Sequence, residues 1–138
     1  DNPFSFYVLE NLVGIANALV FILINLRLLF RDQSVNAYRI VGAINIYLLL
    51  ALVGALTLEV IQATTGASVG GNVALSGTDR DFPQLIYFSL VSLTTVGFGD
   101  IYAVTTPARM LATFLAMLGV LFPAIVIARL VGLVSASR

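Results

Sequence analysis

Three stretches of this chain, residues 4–30, 36–63 and 107–134, are each apolar and long enough to cross a bilayer as a helix, which takes about 20 such residues. That property removes most folds from consideration. In hydrocarbon, backbone polar groups must pair within a helix or a closed barrel, because no water is present to satisfy them. Composition agrees: 59% of the 138 residues are apolar and 10% are charged, where a soluble domain carries about 25% charged residues. All seven basic residues are arginines, net charge is zero, and Cys and His are both absent. No basic patch argues for nucleic acid, and no thiol, disulfide or imidazole is available for metal binding or acid-base work. An enzyme is therefore not expected, nor a bound cofactor. The chain opens Asp1-Asn2-Pro3 without a Met or a basic leader, and its first apolar stretch is too long for a signal peptide. This reads as a trimmed N-terminus.

Between the second and third stretches lies a segment too short for another span and too apolar for an ordinary loop. Residues 64–80, rich in Gly, Ser and Thr, predict a mobile, solvent-exposed turret. Asp81-Phe82-Pro83 then predicts a helix start, with Asp81 as cap and Pro83 in the first turn of a short helix over 83–93. Such a helix enters the membrane without crossing it. Ser34 and Asn36 are candidate caps for the second span; Thr106 and Pro107 are candidate cap and first-turn residue for the third.

Directly after the short helix comes Thr94-Thr95-Val96-Gly97-Phe98-Gly99-Asp100. Non-helical backbone at membrane depth is tolerated only where protein buries it or it lines a water-filled path. Gly97 and Gly99 permit backbone angles that side chains resist, so the carbonyls of Thr95, Val96, Gly97 and Phe98, with the Thr95 hydroxyl, can stack on one side while Val96 and Phe98 point outward into packing. Stacked carbonyls from several chains replace the water shell of a potassium ion. A plain tight turn is the competing reading, and it does not account for the flanking spans and the re-entrant length.

Arg27, Arg31 and Arg39 cluster at the junction of the first two spans, and Arg129 and Arg138 at the end of the third. By the positive-inside rule these sides are cytoplasmic. The turret and the Asp100 mouth then face outward with Asp1, Glu10, Glu59, Asp79 and Asp81, and only Arg109 runs against the bias without an acidic neighbour. Arg27 and Arg31 read as interfacial anchors rather than a voltage-sensor fragment, since sensors carry several arginines through the span. On the first span, Glu10, Asn17 and Asn25 recur near one face with Gly14, and polar groups there are expected to face protein. Asn25 meets Asn45 if the first two spans form a hairpin; contact with further N-terminal helices is the alternative.

Residues 36–134 resemble the pore module of tetrameric potassium channels, in the order outer helix, pore helix, filter, inner helix. The motif Thr95 to Asp100 carries the resemblance, with Phe98 where Tyr is commoner. The stretches Tyr38 to Leu50 and Ile127 to Leu133 are similar to small bacterial members with extra helices before the pore. The resemblance implies an all-α membrane protein of three transmembrane helices plus a re-entrant pore helix and selectivity filter, assembled as a homotetramer in the lipid bilayer of the inner (plasma) membrane. It divides the chain into an N-terminal helix and cytoplasmic turn, residues 1–33, and a pore domain, residues 34–138. Potassium sites fall at Thr95, Val96, Gly97 and Phe98, with Gly99 completing the filter and Tyr87, Phe88, Thr94 and Asp100 supporting it. Where some members carry a carboxylate that pairs with the filter aspartate, this chain has Val91. Tyr87 stands where many members have a tryptophan, and its hydroxyl is expected to donate to Asp100. A weakly selective cation channel and a non-conducting accessory subunit are the alternatives.

In the third span Pro123 removes the helix bond to the Gly119 carbonyl, which marks a bend. A hinge there moves Ile127 and Val131, whose apolar ring can stop ions by dewetting; a static kink is the other reading. Only four residues follow Val134, so no ligand-binding gating domain is expected within this sequence.

Overall fold

The computed structural model describes residues 3–31 and 37–136. Helix α1 runs Pro3–Arg31 and α2 runs Ala37–Thr65; strand β1, Val69–Gly71, and a 3-10 turn, Asp79–Asp81, lead to α3, Phe82–Leu93. Strand β2, Ile101–Ala103, then leads to α4, Thr106–Ala136. At 1.5 Å per residue, the 29 residues of α1 and of α2 and the 31 of α4 each reach more than about 40 Å, beyond the hydrocarbon core of about 30 Å. The 12 residues of α3 reach only about 18 Å. Three helices are thus long and apolar enough to cross a membrane, and α3 is a shorter apolar helix that cannot cross one alone. Ser34 and Asn36, the expected caps of α2, lie outside the described residues, as do Asp1 and Arg138.

Helix α1 lies antiparallel on α2. A methyl group at Gly14 would meet Leu56 Cδ1 at 3.1 Å, Gly42 lies beside Asn25 Oδ1, and Arg39 donates from its guanidinium to the Leu29 carbonyl at 2.7 Å. Its buried positions are Asn11, Ala18, Ile22 and Leu29, a stripe of helical spacing that faces α2. Glu10 and Asn17 fall beside that stripe and are exposed, so the polar residue that α1 buries is Asn11, contrary to the expectation from sequence. The Asn25 amide donates to Phe21 O of its own helix at 2.8 Å, which satisfies it without Asn45. Arg39, clustered in sequence with Arg27 and Arg31 at the first junction, is buried because it closes the C-terminal end of α1, whose carbonyls lack partners within the helix. Arg27 and Arg31 are exposed in the last turns of α1, where positive charge complements the helix dipole.

Helix α3 wedges between α2 and α4. Its buried residues Leu85, Phe88, Ser89 and Leu93 form one stripe, and the outer core gathers Leu58 and Ile61 of α2, Val69, Ile101 and Ala108 around Leu85 and Phe88. Deeper in, Ala51, Leu93 and Leu115 join the three helices. Small residues allow the close approach: a side chain at Gly54 would strike Ser89 Oγ and Leu115.

The turret departs from the mobile loop expected. Val69, Gly70 and Gly71 pair antiparallel with Ala103, Tyr102 and Ile101, Val104 N donates to Ser68 O at 3.0 Å, and Ser68 is fully buried. Two helix starts also differ. Asp81 stands at the N-cap of α3 but makes no side-chain cap bond; its carboxylate instead accepts Ser76 N at 3.0 Å, Ser76 Oγ at 2.9 Å and Gly77 N at 2.6 Å. Helix α4 begins at Thr106 itself, and Arg109 N donates to Thr105 O at 2.9 Å, so Thr105 takes the flanking position expected of Thr106.

Candidate functional site: a carbonyl-lined loop after the re-entrant helix

The end of α3 sets the loop that follows. Thr94 N and Thr94 Oγ1 both donate to Leu90 O, at 2.8 and 2.7 Å; Thr95 N donates to Ser92 O and Val96 N to Val91 O, each at 3.1 Å. These bonds tighten the last turn and then end the helix, and the chain leaves it through a turn at Thr94 and Thr95. Three left-handed residues follow at alternate positions, Thr95 (φ 57°), Gly97 (φ 58°) and Gly99 (φ 79°), while Val96 and Phe98 keep ordinary negative φ. Alternating handedness turns successive peptide planes back on themselves, which lets carbonyls gather on one side of the strand. The two glycines are where the sequence places them. Thr95 is not: a β-branched residue at positive φ is an outlier, held at a cost of about 1–3 kcal/mol where the surroundings demand it. A methyl at Gly97 or Gly99 would meet nothing within 4 Å of this protomer, so glycine is required there for conformation rather than space.

All residues from Thr94 to Asp100 are exposed on the protomer, Val96 at 52% and Phe98 at 70%. Their expected packing is therefore not found within one chain. Phe88, by contrast, packs in the outer core as expected of filter support.

At the outer end of the loop Asp100 is held from two sides. Tyr87 Oη donates to Asp100 Oδ2 at 2.8 Å, the pair expected from sequence; this bond to the carboxylate is the main reason the Tyr87 hydroxyl titrates above its ordinary value, with burial and the nearby negative charge adding to it. Asn72 N donates to the Asp100 carbonyl at 3.0 Å, and Gly71 (φ 118°) lies so close to that carbonyl that a Cβ would collide with it. Below, Asp81 anchors the turret. Burial would raise its pKa, but the hydrogen bonds from Ser76, Gly77 and Thr78 outweigh that and hold it below the usual carboxylate value. Arg109, the arginine without an acidic neighbour in sequence, is exposed and donates from Nε to Ala103 O at 3.2 Å.

The sequence reading missed Gly71, Asn72, Ser68, Tyr47 and Ser89. Ser89 Oγ donates to Ala51 O at 2.7 Å and Tyr47 Oη to Leu93 O at 3.1 Å, tying α3 to α2 one helical turn apart on each. The Gly70-Gly71-Asn72 run was the available signal for a close backbone approach; nothing local marks Tyr47 or Ser89.

In α4, Pro123 lies inside a helix that continues without interruption to Ala136. Ile127 and Val131 are exposed on the protomer. Gly119 has a second role besides flexibility: its backbone is pressed on Leu93, and any side chain there would strike the Leu93 carbonyl.

A re-entrant helix flanked by spans and followed by a loop of alternating handedness defines a pore-forming membrane protein. The family model described as "Ion channel" matches residues 46–136, well over half of the chain, and the protein belongs to that ion-channel family. It is a multi-pass membrane protein and a channel, not an enzyme. The match begins within α2, so α1 lies outside it. No curated protein and no solved structure matches the chain.

Proposed function

We propose that this protein is a potassium-selective channel of the inner or plasma membrane, working as a homotetramer with Thr95 to Gly99 of four copies around a central axis. The observation that carries the reading is the left-handed backbone at Thr95, Gly97 and Gly99 within Thr-Val-Gly-Phe-Gly-Asp. One such loop supplies one side of an ion's shell, and the chain holds no second copy of the motif, so a ring needs other protomers. The exposed Val96 and Phe98 supply apolar surface for those neighbours to cover. Potassium ions then bind at Thr95, Val96, Gly97 and Phe98 and pass in single file, no other bound group being needed. The outward side carries Asp81 and Asp100, which favour cations at the mouth.

The test is flux through purified protein in liposomes. Potassium uptake blocked by barium, with sodium uptake at least about tenfold slower, supports the proposal; equal sodium uptake means a weakly selective cation channel, and no uptake a non-conducting subunit. Gly97→Ala is the internal control. The added methyl opposes the left-handed angle by about 1–2 kcal/mol per residue in each of the copies, so unchanged potassium selectivity in that variant overturns the filter assignment.

A further inference from the structure

The last turn of α3 leaves one carbonyl that the loop cannot serve. The carbonyls of Leu90, Val91 and Ser92 accept from Thr94, Val96 and Thr95, but at Leu93, the last residue of α3, the helix ends. Leu93 is fully buried, and a buried carbonyl needs a donor. Tyr47 Oη of α2 supplies it at 3.1 Å. Gly119 of α4 lies against the same carbonyl group. The Tyr47 ring, in turn, faces that of Phe122, with centroids 6.4 Å apart and planes tilted by 30°, and Phe122 immediately precedes Pro123 in α4. One side chain therefore touches both the peptide just before the loop and the helix segment where proline removes a backbone bond.

We propose that Tyr47 is a positioning residue that couples α4 at Phe122 and Pro123 to the base of the filter. The hydroxyl fixes the direction of the Leu93 carbonyl, and so the peptide plane from which Thr94 and the strained Thr95 start. The ring follows Phe122, so a displacement of α4 at Pro123 pulls on that hydroxyl. The coupling lies within one protomer and needs no partner residue. It rests on the channel reading above, because the quantity positioned is the carbonyl geometry at Thr95.

The experiment uses the full chain in liposomes and planar bilayers, comparing wild type with Tyr47→Phe, Phe122→Leu, the double variant and Phe122→Tyr. Tyr47→Phe keeps the ring and removes only the donor. It is expected to lower the potassium-to-sodium permeability ratio, or shorten open bursts, by about threefold to tenfold, the range that one neutral hydrogen bond spans. Phe122→Leu is expected to move the same quantity in the same direction, the double variant to be no worse than Tyr47→Phe, and Phe122→Tyr, which keeps an aromatic face, to match wild type. Thermal midpoints are measured in parallel, since a merely structural Tyr47 lowers the midpoint while leaving the permeability ratio alone, and that result overturns the proposal. So does additivity of the two single variants. Absence of potassium flux in wild type overturns the channel reading itself; wild-type flux with an unchanged Tyr47→Phe overturns the coupling alone.

Discussion

The two ends of this protein, one around α3 and its loop and the other around the far ends of α2 and α4, are held together largely by different forces. Around α3 and its loop, side chains and strands cross between elements as hydrogen bonds: Ser89 to Ala51, Tyr47 to Leu93, Tyr87 to Asp100, Ser76 and Gly77 to Asp81, and β1 to β2. At the other end an apolar groove of about 360 Å3 lies between α2 and α4, bordered by Ala43, Tyr47, Phe122, Pro123 and Leu130; the core there is Ile22, Leu29, Ala43 and Ile46, and the bond from Arg39 to the Leu29 carbonyl crosses it. Hydrogen bonds are directional and demand one geometry, whereas apolar contact is non-directional. The end around α3 therefore specifies positions of backbone atoms, whereas the contacts at the other end depend more on apolar area than on direction.

The largest break in that comparison is expected from a pair of glycines in one helix. Gly119→Ala drives a methyl into the Leu93 carbonyl, where the obstacle is backbone that cannot swing away; overpacking of this kind costs about 1–3 kcal/mol or more, and folded yield and potassium flux should both fall severely. Gly132→Ala meets nothing within 4 Å and replaces a poor helix former with a good one, a gain of up to about 1 kcal/mol. Thermal unfolding in detergent with paired flux assays reads both. Equal losses would erase the distinction between the two ends.

Next in size is the Asp81 anchor. Because its pKa is lowered in the folded protein, its contribution is present above the ordinary aspartate value of 3.8 and fades as pH falls through the lower folded value. Asp81→Asn should loosen residues 76–78 at neutral pH, raising amide exchange at Ser76 and Gly77 by about tenfold, and the wild type should show the same loosening only below pH 3.8. A turret equally protected in the variant would mean that the strand pairing alone holds it.

A smaller effect is expected at Tyr87. Tyr87→Phe deletes the donor to Asp100 while leaving the ring, and Asn72 still holds the Asp100 carbonyl. Conduction in full potassium should be near normal, with faster loss when potassium is lowered. Identical decay in variant and wild type removes Tyr87 from filter support. The mildest change in stability belongs to Pro123→Ala, which restores a helix bond to Gly119 and fills no space. Its expected signature is in open probability, with Val131→Ser raising basal flux by wetting an apolar ring. Unchanged open probability in both places control at the filter rather than at Pro123 and Val131.

The same division explains what the sequence made legible. Spans α1, α2 and α4 and the re-entrant α3 were readable to within a residue or two because hydropathy and length are local properties. Gly97 and Gly99 were readable because the motif names its own chemistry, and the Tyr87 to Asp100 pair because the resemblance places Tyr87 beside the filter aspartate. What could not be read are contacts between distant segments. Asp81 sits where a cap belongs and its carboxylate is taken by Ser76 and Gly77; Arg39 reads with the arginines of the first junction and is drawn inward to the Leu29 carbonyl. In both, a partner from another element outcompetes the local role. The Gly, Ser and Thr content of residues 64–80 signalled a loop correctly, but not that three of its residues would find an unpaired strand edge at Ile101 to Ala103.

That strand pairing has a topological consequence. It bridges Val69 to Ala103 directly, so the end of α2 is joined to the exit of the loop by a path a few residues long, and the chain between Asn72 and Ser76 becomes a bight whose two ends are already pinned. Lengthening a bight costs only about 0.6 kcal/mol of closure entropy per doubling. Inserted residues at its exposed tip, Ala74, between Val73 and Leu75 that pack on the core, leave the bridged path unchanged, which makes this the place where an epitope or fluorophore can be spliced in without disturbing Asp100.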